Sequence, residues 1–484
     1  MPDLSRVWAS TFPELSRPVS PRRAPAPRLL ALNDDLARDL DIDPELLRTD
    51  GGLRFLTGEA HTSDSAPVAQ VYAGHQWGVY KPLLGDGRAA LLGERRRRSG
   101  ELVDIHAKGI GPTSMSRVDG FATVGPMLRE FVIGEAMHAL GLPSTRALAV
   151  VGTGAPRRLD GEVLPGAVVT RVATSHIRYG SFSYAAALDD RALLRRLADH
   201  AIRRHYPEAA AESAPVHSLL RGVVAAAAKQ TAGWTGVGFV QGVLSTDNVL
   251  VSGETIDYGP CAFLDAYDPR AVFSSIDRHG RYAFGRQPAI MRWNLERLGE
   301  AVAPLLADDL DEGRAIAEEI VSTFGVLFLD AETAVFRGKL GLGPSVAGET
   351  VRRLTDEALA LLAGHGVDYT RFWRDLAAAA RGDAATVRRA FDDAAQPALN
   401  AWLSDWAGLH PDAALMSTVN PAHIPRNHVV AEVLAAAVDG DLDPVHDLVE
   451  LVRSPFAESD SLLGSRLAAP APAAAAPSVT FCGT

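Results

Sequence analysis

The chain has 484 residues, 47% of them apolar and 22% charged, and carries a formal net charge of -11. This acidic balance argues against non-specific binding to nucleic acid or to an anionic membrane surface. Two cysteines, Cys261 and Cys482, are too few for a disulfide framework or a zinc cluster. No apolar run approaches the roughly 20 residues of a membrane span, and the N-terminus lacks the pattern of a signal peptide, so we expect a cytoplasmic protein.

Changes of composition along the chain predict an α+β protein with two unequal lobes. Residues 1–65, rich in Pro, Arg and Asp, are expected to form a wrapping arm with little strand content and one amphipathic stretch, Leu29–Leu40. Residues 66–175 are expected to form a strand-rich lobe with one helix, and residues 176–465 a larger helical lobe. Residues 466–484 are expected to form a flexible Ala/Pro tail that carries the terminal cysteine.

Short apolar runs and helical spacing predict the individual elements. The predicted strands are Ala89–Leu92, Leu102–Ala107 and Ala147–Val151, with one helix from Met127 to Leu140 that ends at Gly141. The predicted helices of the second lobe are Arg191–His205, Ser218–Thr231, Arg292–Leu306, Gly313–Phe336, Thr350–Gly364 and Asn427–Ala437. The basic run Arg95–Arg98 is predicted to be a solvated hairpin turn rather than a nucleic-acid patch.

The sequence Gly85-Asp86-Gly87-Arg88 is the first candidate for binding phosphates. Glycine allows backbone N–H groups to approach a phosphate and Arg88 adds positive charge, although Gly-Asp-Gly is as often an ordinary turn. Lys108 ends the next predicted strand, and Glu130 on the following helix can pair with it, as in protein kinases. Such a pair can also be purely structural, but the order of the motifs favours nucleotide binding.

Arg171 and Arg178 lie where the first lobe should pass into the second. Their guanidinium groups suit a polyphosphate, and their spacing would place them on one face of a helix or bring them together across a turn. Spacing alone favours two surface arginines paired with carboxylates. The functional interpretation therefore depends on the other motifs.

The segment Ser245–Gly259 predicts a short hairpin with strands at Val249–Val251 and Thr255-Ile256. Such a hairpin would bring Asn248, at its entry, close to Asp257, at its exit. Oxygen atoms from an Asn and an Asp can together bind a divalent cation such as magnesium.

Asp247, just outside the hairpin entry, could accept a hydroxyl proton. With Asn248 and Asp257 it resembles the catalytic loop and Asp-Phe-Gly element of protein kinases, with Tyr258 in place of Phe. The alternative is a plain hairpin whose Asp and Asn residues serve turns. His75 and His106 have no second ligand at metal-binding spacing, so we expect packing or hydrogen-bonding roles for them.

These motifs belong to a longer, ordered set of short sequence motifs. The set comprises Ala26–Leu30, Tyr72–Trp77, Leu84–Ala89, Lys108–Thr113, Arg129–Phe131, Glu135–Met137, Val237–Phe239, Thr246–Asn248, Ile256–Pro260, Gly280–Tyr282 and Gln287-Pro288. In these motifs the chain resembles the selenoprotein O family of kinase-fold protein adenylyltransferases over nearly its whole length.

The resemblance implies a protein-kinase-like two-lobed fold in which ATP lies reversed. AMP would then pass to Ser, Thr or Tyr hydroxyls of protein substrates, and pyrophosphate would be released. The implied ATP contacts are Gly85, Gly87, Arg88, Lys108, Asp119, Gly120, Arg171, Arg178 and Asp257. The resemblance also implies Asn248 and Asp257 as ligands of Mg²⁺ or Mn²⁺, Asp247 as the proton acceptor and Glu130 as the partner that positions Lys108.

Three departures from the family pattern stand out. Gln241 occupies a position where the family usually has His, and the stretch 121–127 lacks the family's arginines. Phe273-Ser274 replaces a region where the family often carries a Cys, which weakens any redox pairing there. Cys482, where the family has selenocysteine or Cys, is expected to be reactive but dispensable for transfer. A Cys261–Cys482 disulfide is the less favoured alternative.

Three alternatives to AMP transfer remain open at this point. One is UMP transfer with manganese, and another is conventional phosphoryl transfer with the nucleotide in the ordinary orientation. The third is a non-catalytic nucleotide-binding scaffold, which would be expected to show a damaged metal pair. We expect a monomer that acts on protein substrates and binds neither nucleic acid nor membrane.

Overall fold

The computed structural model describes residues 2–61, 66–159, 161–472 and 480. Its strands are β1 (Ser16–Pro18), β2 (Arg28–Leu32), β3 (Val68–Gln70), β4 (Gly74–Gln76), β5 (Val79–Lys81), β6 (Ala89–Arg96), β7 (Leu102–Lys108), β8 (Arg146–Leu159), β9 (Glu162–Ala173), β10 (Phe239–Val240) and β11 (Ala262–Phe263).

Most of the helices follow β9 along the chain. They are α1 (Val7–Thr11), α2 (Asp34–Asp39), α3 (Pro44–Arg48), α4 (Asp50–Leu56), α5 (Val124–Ala139), α6 (Tyr179–Ala187), α7 (Arg191–His205), α8 (Pro215–Val237), α9 (Gln287–Leu306), α10 (Leu310–Ser322), α11 (Phe324–Lys339), α12 (Gly348–His365), α13 (Tyr369–Ala380), α14 (Ala385–Arg389), α15 (Gln396–Ala407), α16 (Ala413–Val419), α17 (Asn427–Val438), α18 (Asp443–Val452) and α19 (Leu462–Ala468). The chain is therefore a mixed α and β protein, as predicted. Among the described helices, none is both long and apolar enough to cross a membrane.

The main sheet has seven antiparallel strands in the order β1-β3-β6-β7-β9-β8-β2. Its central strands β6 and β7 contain the predicted runs Ala89–Leu92 and Leu102–Ala107, which are almost completely buried. The basic run Arg95–Arg98 covers the end of β6 and the start of the turn to β7, but Arg95 is not simply solvated. Its guanidinium group donates to the carbonyl oxygens of Asp3, Leu40 and Asp41.

The first 32 residues supply both edge strands of this sheet, which differs from the prediction of an arm with little strand content. β1 pairs with β3, and β2 pairs with β8. The predicted amphipathic stretch Leu29–Leu40 is divided between β2 and α2, whose N-cap Asn33 accepts a hydrogen bond from Leu36 N–H. The strand partners lie far along the chain, so local sequence could not reveal them.

Helix α5 packs between strands β8 and β9 on one side and helices α17 and α18 on the other. It is buried on nearly every side and joins the sheet to the helical part in one continuous apolar core. Gly141 lies two residues after the end of α5, with φ +79°, the left-handed conformation that commonly ends a helix. The predicted boundaries, Met127–Leu140 with a stop at Gly141, agree closely with this helix.

The helical part follows the predicted spacing, with two local differences. Helix α7 has the predicted bounds Arg191–His205, and its N-cap Asp190 accepts from two backbone N–H groups. The predicted helix Gly313–Phe336 is two helices, α10 and α11, separated at Thr323. The predicted strands around Val249 and Thr255 are reduced to a single antiparallel bridge between those two residues.

Candidate functional site

A cavity of about 240 Å³ lies where the main sheet meets the loop Val243–Asn248. Most of the sequence-predicted residues line it: Gly85, Gly87, Arg88, Lys108, Arg171, Arg178, Asp247, Asn248 and Asp257. Glu130 lies behind the lining and bonds to Lys108. The residues therefore come together from a glycine turn, two strands, helix α5 and the loop around Asp257.

The glycine turn at the start of β6 is held from inside by Asp86. Its buried carboxylate accepts hydrogen bonds from Gln70 N–H (2.9 Å) and from His106 Nε2 (3.0 Å). Burial alone would raise the pKa of Asp86, but its interactions with His106, Arg178 and Gln70 N–H together outweigh burial and lower that pKa. Gly85 has φ +64°, and a Cβ there would lie 2.0 Å from the Met115 sulfur, so this position requires glycine.

Three cations converge on Asp257. Lys108 Nζ lies 2.9 Å from Asp257 Oδ1, Arg171 reaches the same oxygen at 2.6 Å, and Arg178 reaches Oδ2 at 3.0 Å. Glu130 completes the cluster, because it accepts from Lys108 Nζ and from Arg171 Nε (2.7 Å). All five side chains are mostly or completely buried.

The charges in this cluster set the ionisation of its carboxylates. Burial alone would raise the pKa of Asp257, but the neighbouring cations outweigh it and hold that pKa well below its ordinary value. Burial would likewise raise the pKa of Glu130, but the charges of Arg171 and Lys108 outweigh burial and lower this pKa. Both carboxylates are therefore anionic near neutral pH.

Asp247 lies in a 3-10 turn, Thr246–Asn248, and differs from Asp257 in its surroundings. Burial raises the pKa of Asp247, and a hydrogen bond with Ser245 and one from Gln76 Nε2 to its Oδ2 (3.0 Å) oppose that rise. No described residue donates a hydrogen bond to the buried Oδ1 atom. Asp247 thus has one buried oxygen without a hydrogen-bond partner among the described residues, an acceptor that a general base could use.

Asn248 and Asp257 offer oxygen atoms to the same cavity. Asn248 donates its amide nitrogen to the Val243 carbonyl (2.9 Å), so its amide oxygen is the side-chain atom left for a ligand. Asp257 has φ +62°, a conformation that is uncommon outside glycine and that tends to mark functional positions. These donors fit Mg²⁺ or Mn²⁺, although the described residues contain no group of three or more His, Cys, Asp or Glu side chains arranged for a metal.

Asp119 and Gly120 are not part of the cavity lining in the structure, although both were predicted to contact ATP. The Asp119 carboxylate pairs with Arg157 Nε (3.2 Å) and accepts from Phe121 N–H. Gly120 packs against the backbone of Gly111, where a Cβ would come within 2.4 Å. Their neighbours Arg117 and Val118 line the cavity instead.

Two side chains of the motif Tyr72–Trp77 touch the site, and neither was predicted to have a role there. Gln76 contacts Asp247, as described above, and the Tyr72 ring lies under the Arg178 guanidinium at 4.7 Å. The motif itself was the signal that could have indicated them. His75 bonds to Thr246 Oγ1, so it has the hydrogen-bonding role expected of it, as does His106.

Gln241, one of the departures from the family pattern, is completely buried beside the site. Its Nε2 donates to the Ile256 carbonyl (3.3 Å), and its Oε1 accepts from Val243 N–H (2.8 Å). Gln241 therefore ties the loop that precedes Asp247 to the residue next to Asp257.

Cys261 is buried, and burial raises the pKa of its thiol to about 11. Such a thiol is mostly protonated near neutral pH and therefore a poor nucleophile. Cys482, for which we predicted reactivity, lies outside the described residues.

Comparison with known proteins gives one consistent family. A profile described as protein adenylyltransferase SelO matches residues 4–453 of the chain. The protein nucleotidyltransferase YdiU of Pseudarthrobacter chlorophenolicus is 52% identical over 482 residues, which cover 99% of this chain and 97% of that protein. YdiU of Mycolicibacterium paratuberculosis is 52% identical over 490 residues (100% and 96%), and that of Cereibacter sphaeroides is 49% identical over 473 residues (96% and 96%).

Proposed function

The chain belongs to the SelO family of protein adenylyltransferases, and we propose that it transfers AMP from ATP to Ser, Thr or Tyr hydroxyls of other proteins, with ATP bound in reversed orientation. As a member of this family it is a protein nucleotidyltransferase. The reversed orientation, the hydroxyl acceptors and the roles of individual residues are parts of the proposal.

One observation carries the proposal: three cations meet at Asp257, beside a buried Asp247 with one oxygen that has no hydrogen-bond partner among the described residues. Lys108, Arg171 and Arg178 can bind the oxygens of a triphosphate, and guanidinium groups do so with two hydrogen bonds each. Glu130 holds Lys108 and Arg171 in position for this task. The glycine turn Gly85–Arg88 borders the same cavity and places the cationic Arg88 on its wall, whereas its first three N–H groups donate to carbonyl oxygens of the protein.

In the proposed reaction, Asp247 Oδ1 accepts the proton of the acceptor hydroxyl. The hydroxyl oxygen then forms a bond to the α-phosphorus of ATP, while the bond from that phosphorus to the β-phosphate oxygen breaks. Pyrophosphate leaves with the electron pair, and the cations of the site stabilise the charge that develops on it. Asn248 and Asp257 would hold Mg²⁺ or Mn²⁺, which would supply further positive charge to the triphosphate.

The proposal extends to the architecture and setting of the enzyme. The sheet with α5 would form the smaller lobe of a kinase-like fold, spanning about residues 66–175, and the helical part would form the larger lobe up to residue 465. Residues 1–65 would be the arm that completes the sheet edges. The tail, predicted for residues 466–484, would begin only after Ala468, because α19 extends to that residue. We propose a monomer that acts in the cytoplasm.

The test uses ATP labelled in parallel on the α- or the γ-phosphate, with a protein mixture and magnesium or manganese. We expect label on protein only from the α-position, and its loss in Asp247→Asn and Asp257→Ala. Protein labelled only from the γ-position would instead mean conventional phosphoryl transfer. Labelling from UTP in preference to ATP would indicate UMP transfer, and bound ATP without any transfer would indicate a scaffold.

A further inference from the structure

The β4–β5 hairpin, residues 74–81, lies directly against the proposed general base. Gln76 Nε2 donates to Asp247 Oδ2 at 3.0 Å, and His75 N–H donates to Thr246 Oγ1 at 2.9 Å. Gly74 approaches so closely that a Cβ there would lie 2.5 Å from Asp247 Oδ1. A hydroxyl that reaches Asp247 must therefore arrive beside this hairpin.

The hairpin exposes large apolar side chains next to that point. Val79 is 56% exposed and pairs with Gln76 across the two strands. Residues that face each other in an antiparallel pair project from the same side of the sheet, so Val79 lies on the side that contacts Asp247. Val118, also exposed, lines the cavity that contains Asp247.

Trp77 at the hairpin tip has a backbone conformation that tryptophan rarely adopts. Its φ is +57°, and with Gly78 at φ +79° it forms a two-residue turn that favours Asn, Asp or Gly. Its N–H donates to the Tyr282 hydroxyl (3.2 Å), and its ring packs on the Tyr282 ring, yet 40% of Trp77 stays exposed. A strained, partly exposed aromatic residue beside a reactive centre points to a binding role.

Three cationic side chains lie around the hairpin, although the whole chain is acidic. Arg117 donates to Gln76 Oε1 (3.4 Å), and the Arg281 guanidinium lies against Gly78. Lys81 is exposed on β5, opposite Gly74. Among the described residues β5 pairs with no strand other than β4, so its outer edge can accept an extended segment.

We propose that residues 74–81 and Val118 form the docking surface for the acceptor protein. The segment that docks is extended, carries a large apolar side chain next to the modified hydroxyl, and has acidic residues beyond it. The apolar side chain packs on Trp77 and Val79, and the acidic residues meet Lys81, Arg117 and Arg281. This inference rests on the proposed AMP transfer, because it assigns the acceptor of that reaction.

The experiment measures transfer from α-labelled ATP to short synthetic peptides with a single Tyr hydroxyl. The neighbouring residue is Leu or Asn, and the flank is Asp or Lys. We expect the Leu/Asp peptide to be preferred over the Asn/Lys peptide by about tenfold or more in kcat/KM, which is the scale of burying one apolar side chain. The preference should appear mainly in KM, because Asp247 is the same for every peptide.

Two variants locate the effect on the hairpin. Trp77→Asn suits the turn, so it removes the ring without adding backbone strain, and Val79→Thr conserves shape while adding a hydroxyl. Both variants should reduce the kcat/KM ratio between the Leu and Asn peptides several-fold and leave the Kd for ATP unchanged. The matched control is Val163→Thr on β9, at a residue that is also 56% exposed, and it should keep the full discrimination.

The outcomes separate this inference from the proposed function. If α-labelled ATP modifies proteins but the peptides react equally, or none reacts, the docking proposal is wrong and AMP transfer stands. The docking proposal is also wrong if Trp77→Asn and Val79→Thr discriminate as well as Val163→Thr. If the wild-type protein binds ATP but labels neither proteins nor peptides, AMP transfer fails and the docking proposal fails with it.

Discussion

The charge cluster around Asp257 makes a sharp prediction about stability. Among Lys108, Arg171, Arg178, Glu130 and Asp257, three cations face two carboxylates, so the cluster carries one excess positive charge. Glu130→Gln would leave the three cations with Asp257 alone. Because these groups are mostly buried, we expect the free energy of unfolding to fall by about 3–5 kcal/mol. Lys108→Met leaves two cations facing two carboxylates, so its cost should be no more than about 1 kcal/mol.

The double variant Lys108→Met/Glu130→Gln restores the original excess of one charge. It should therefore be more stable than Glu130→Gln alone, although it carries one substitution more. Equilibrium urea unfolding without nucleotide, followed by tryptophan fluorescence, measures all three variants. The control is Glu357→Gln, which removes an exposed pair with Arg353 and should change stability by less than about 1 kcal/mol.

Two results would refute this reasoning. One is a loss in Glu130→Gln no larger than in Glu357→Gln, which would mean that solvent screens the cluster. The other is simple additivity of Lys108→Met and Glu130→Gln, which would mean that charge balance does not control stability here.

Three further predictions address single contacts. Gln76→Leu removes a hydrogen-bond donor that opposes the raised pKa of Asp247, so this pKa should rise further. Because the base must be ionised, the acid limb of the pH profile of the transfer rate should move to higher pH. The Kd for ATP should stay unchanged. Gly74→Ala would push a Cβ against Asp247 Oδ1, so transfer should fall by about tenfold or more while ATP still binds. Burial raises the pKa of Glu94 to about 7, so the folded state retains its proton where the unfolded state has lost it, and stability should fall as pH rises from about 4.5 to about 7. The free energy of unfolding, measured at several pH values, should fall by about 3 kcal/mol less in Glu94→Gln than in the wild-type protein. An equal fall in both proteins would contradict the raised pKa of Glu94.

The elements that the sequence predicted are those stabilised by local pattern. Helix α7 has a capping Asp190 and a regular apolar face, and its predicted bounds agree with the structure. Strands β1 and β2 were missed because each is stabilised by a partner distant in sequence. The hairpin predicted at Val249–Thr255 has its turn, but its strands are reduced to a bridge between those two residues, and Leu250 bridges to Arg178.

The candidate site shows the same limit: its residues in ordered motifs were predicted, but contacts between residues distant in sequence were not. Glycine turn, Lys108, Glu130 and Asp257 follow one another in a recognisable order, and the structure brings them together. The contact between Gln76 and Asp247 spans 171 residues and depends on how the β4–β5 hairpin lies over the turn at Thr246, which no local pattern encodes. Asp119, which the family resemblance implies as an ATP contact, pairs through its carboxylate with Arg157 in the structure.

The same distinction between local and global properties applies to charge. The chain as a whole is anionic, as ATP is, so net charge alone would predict repulsion that salt weakens. The cavity wall instead holds five cations, Arg88, Lys108, Arg117, Arg171 and Arg178, against three carboxylates, Asp86, Asp247 and Asp257. If this local field governs binding, raising the NaCl concentration from about 0.05 M to about 0.5 M should weaken the binding of ATP, measured by calorimetry. Tighter binding at high salt would mean that the global charge dominates, and the assignment of these cations to the triphosphate would have to be withdrawn.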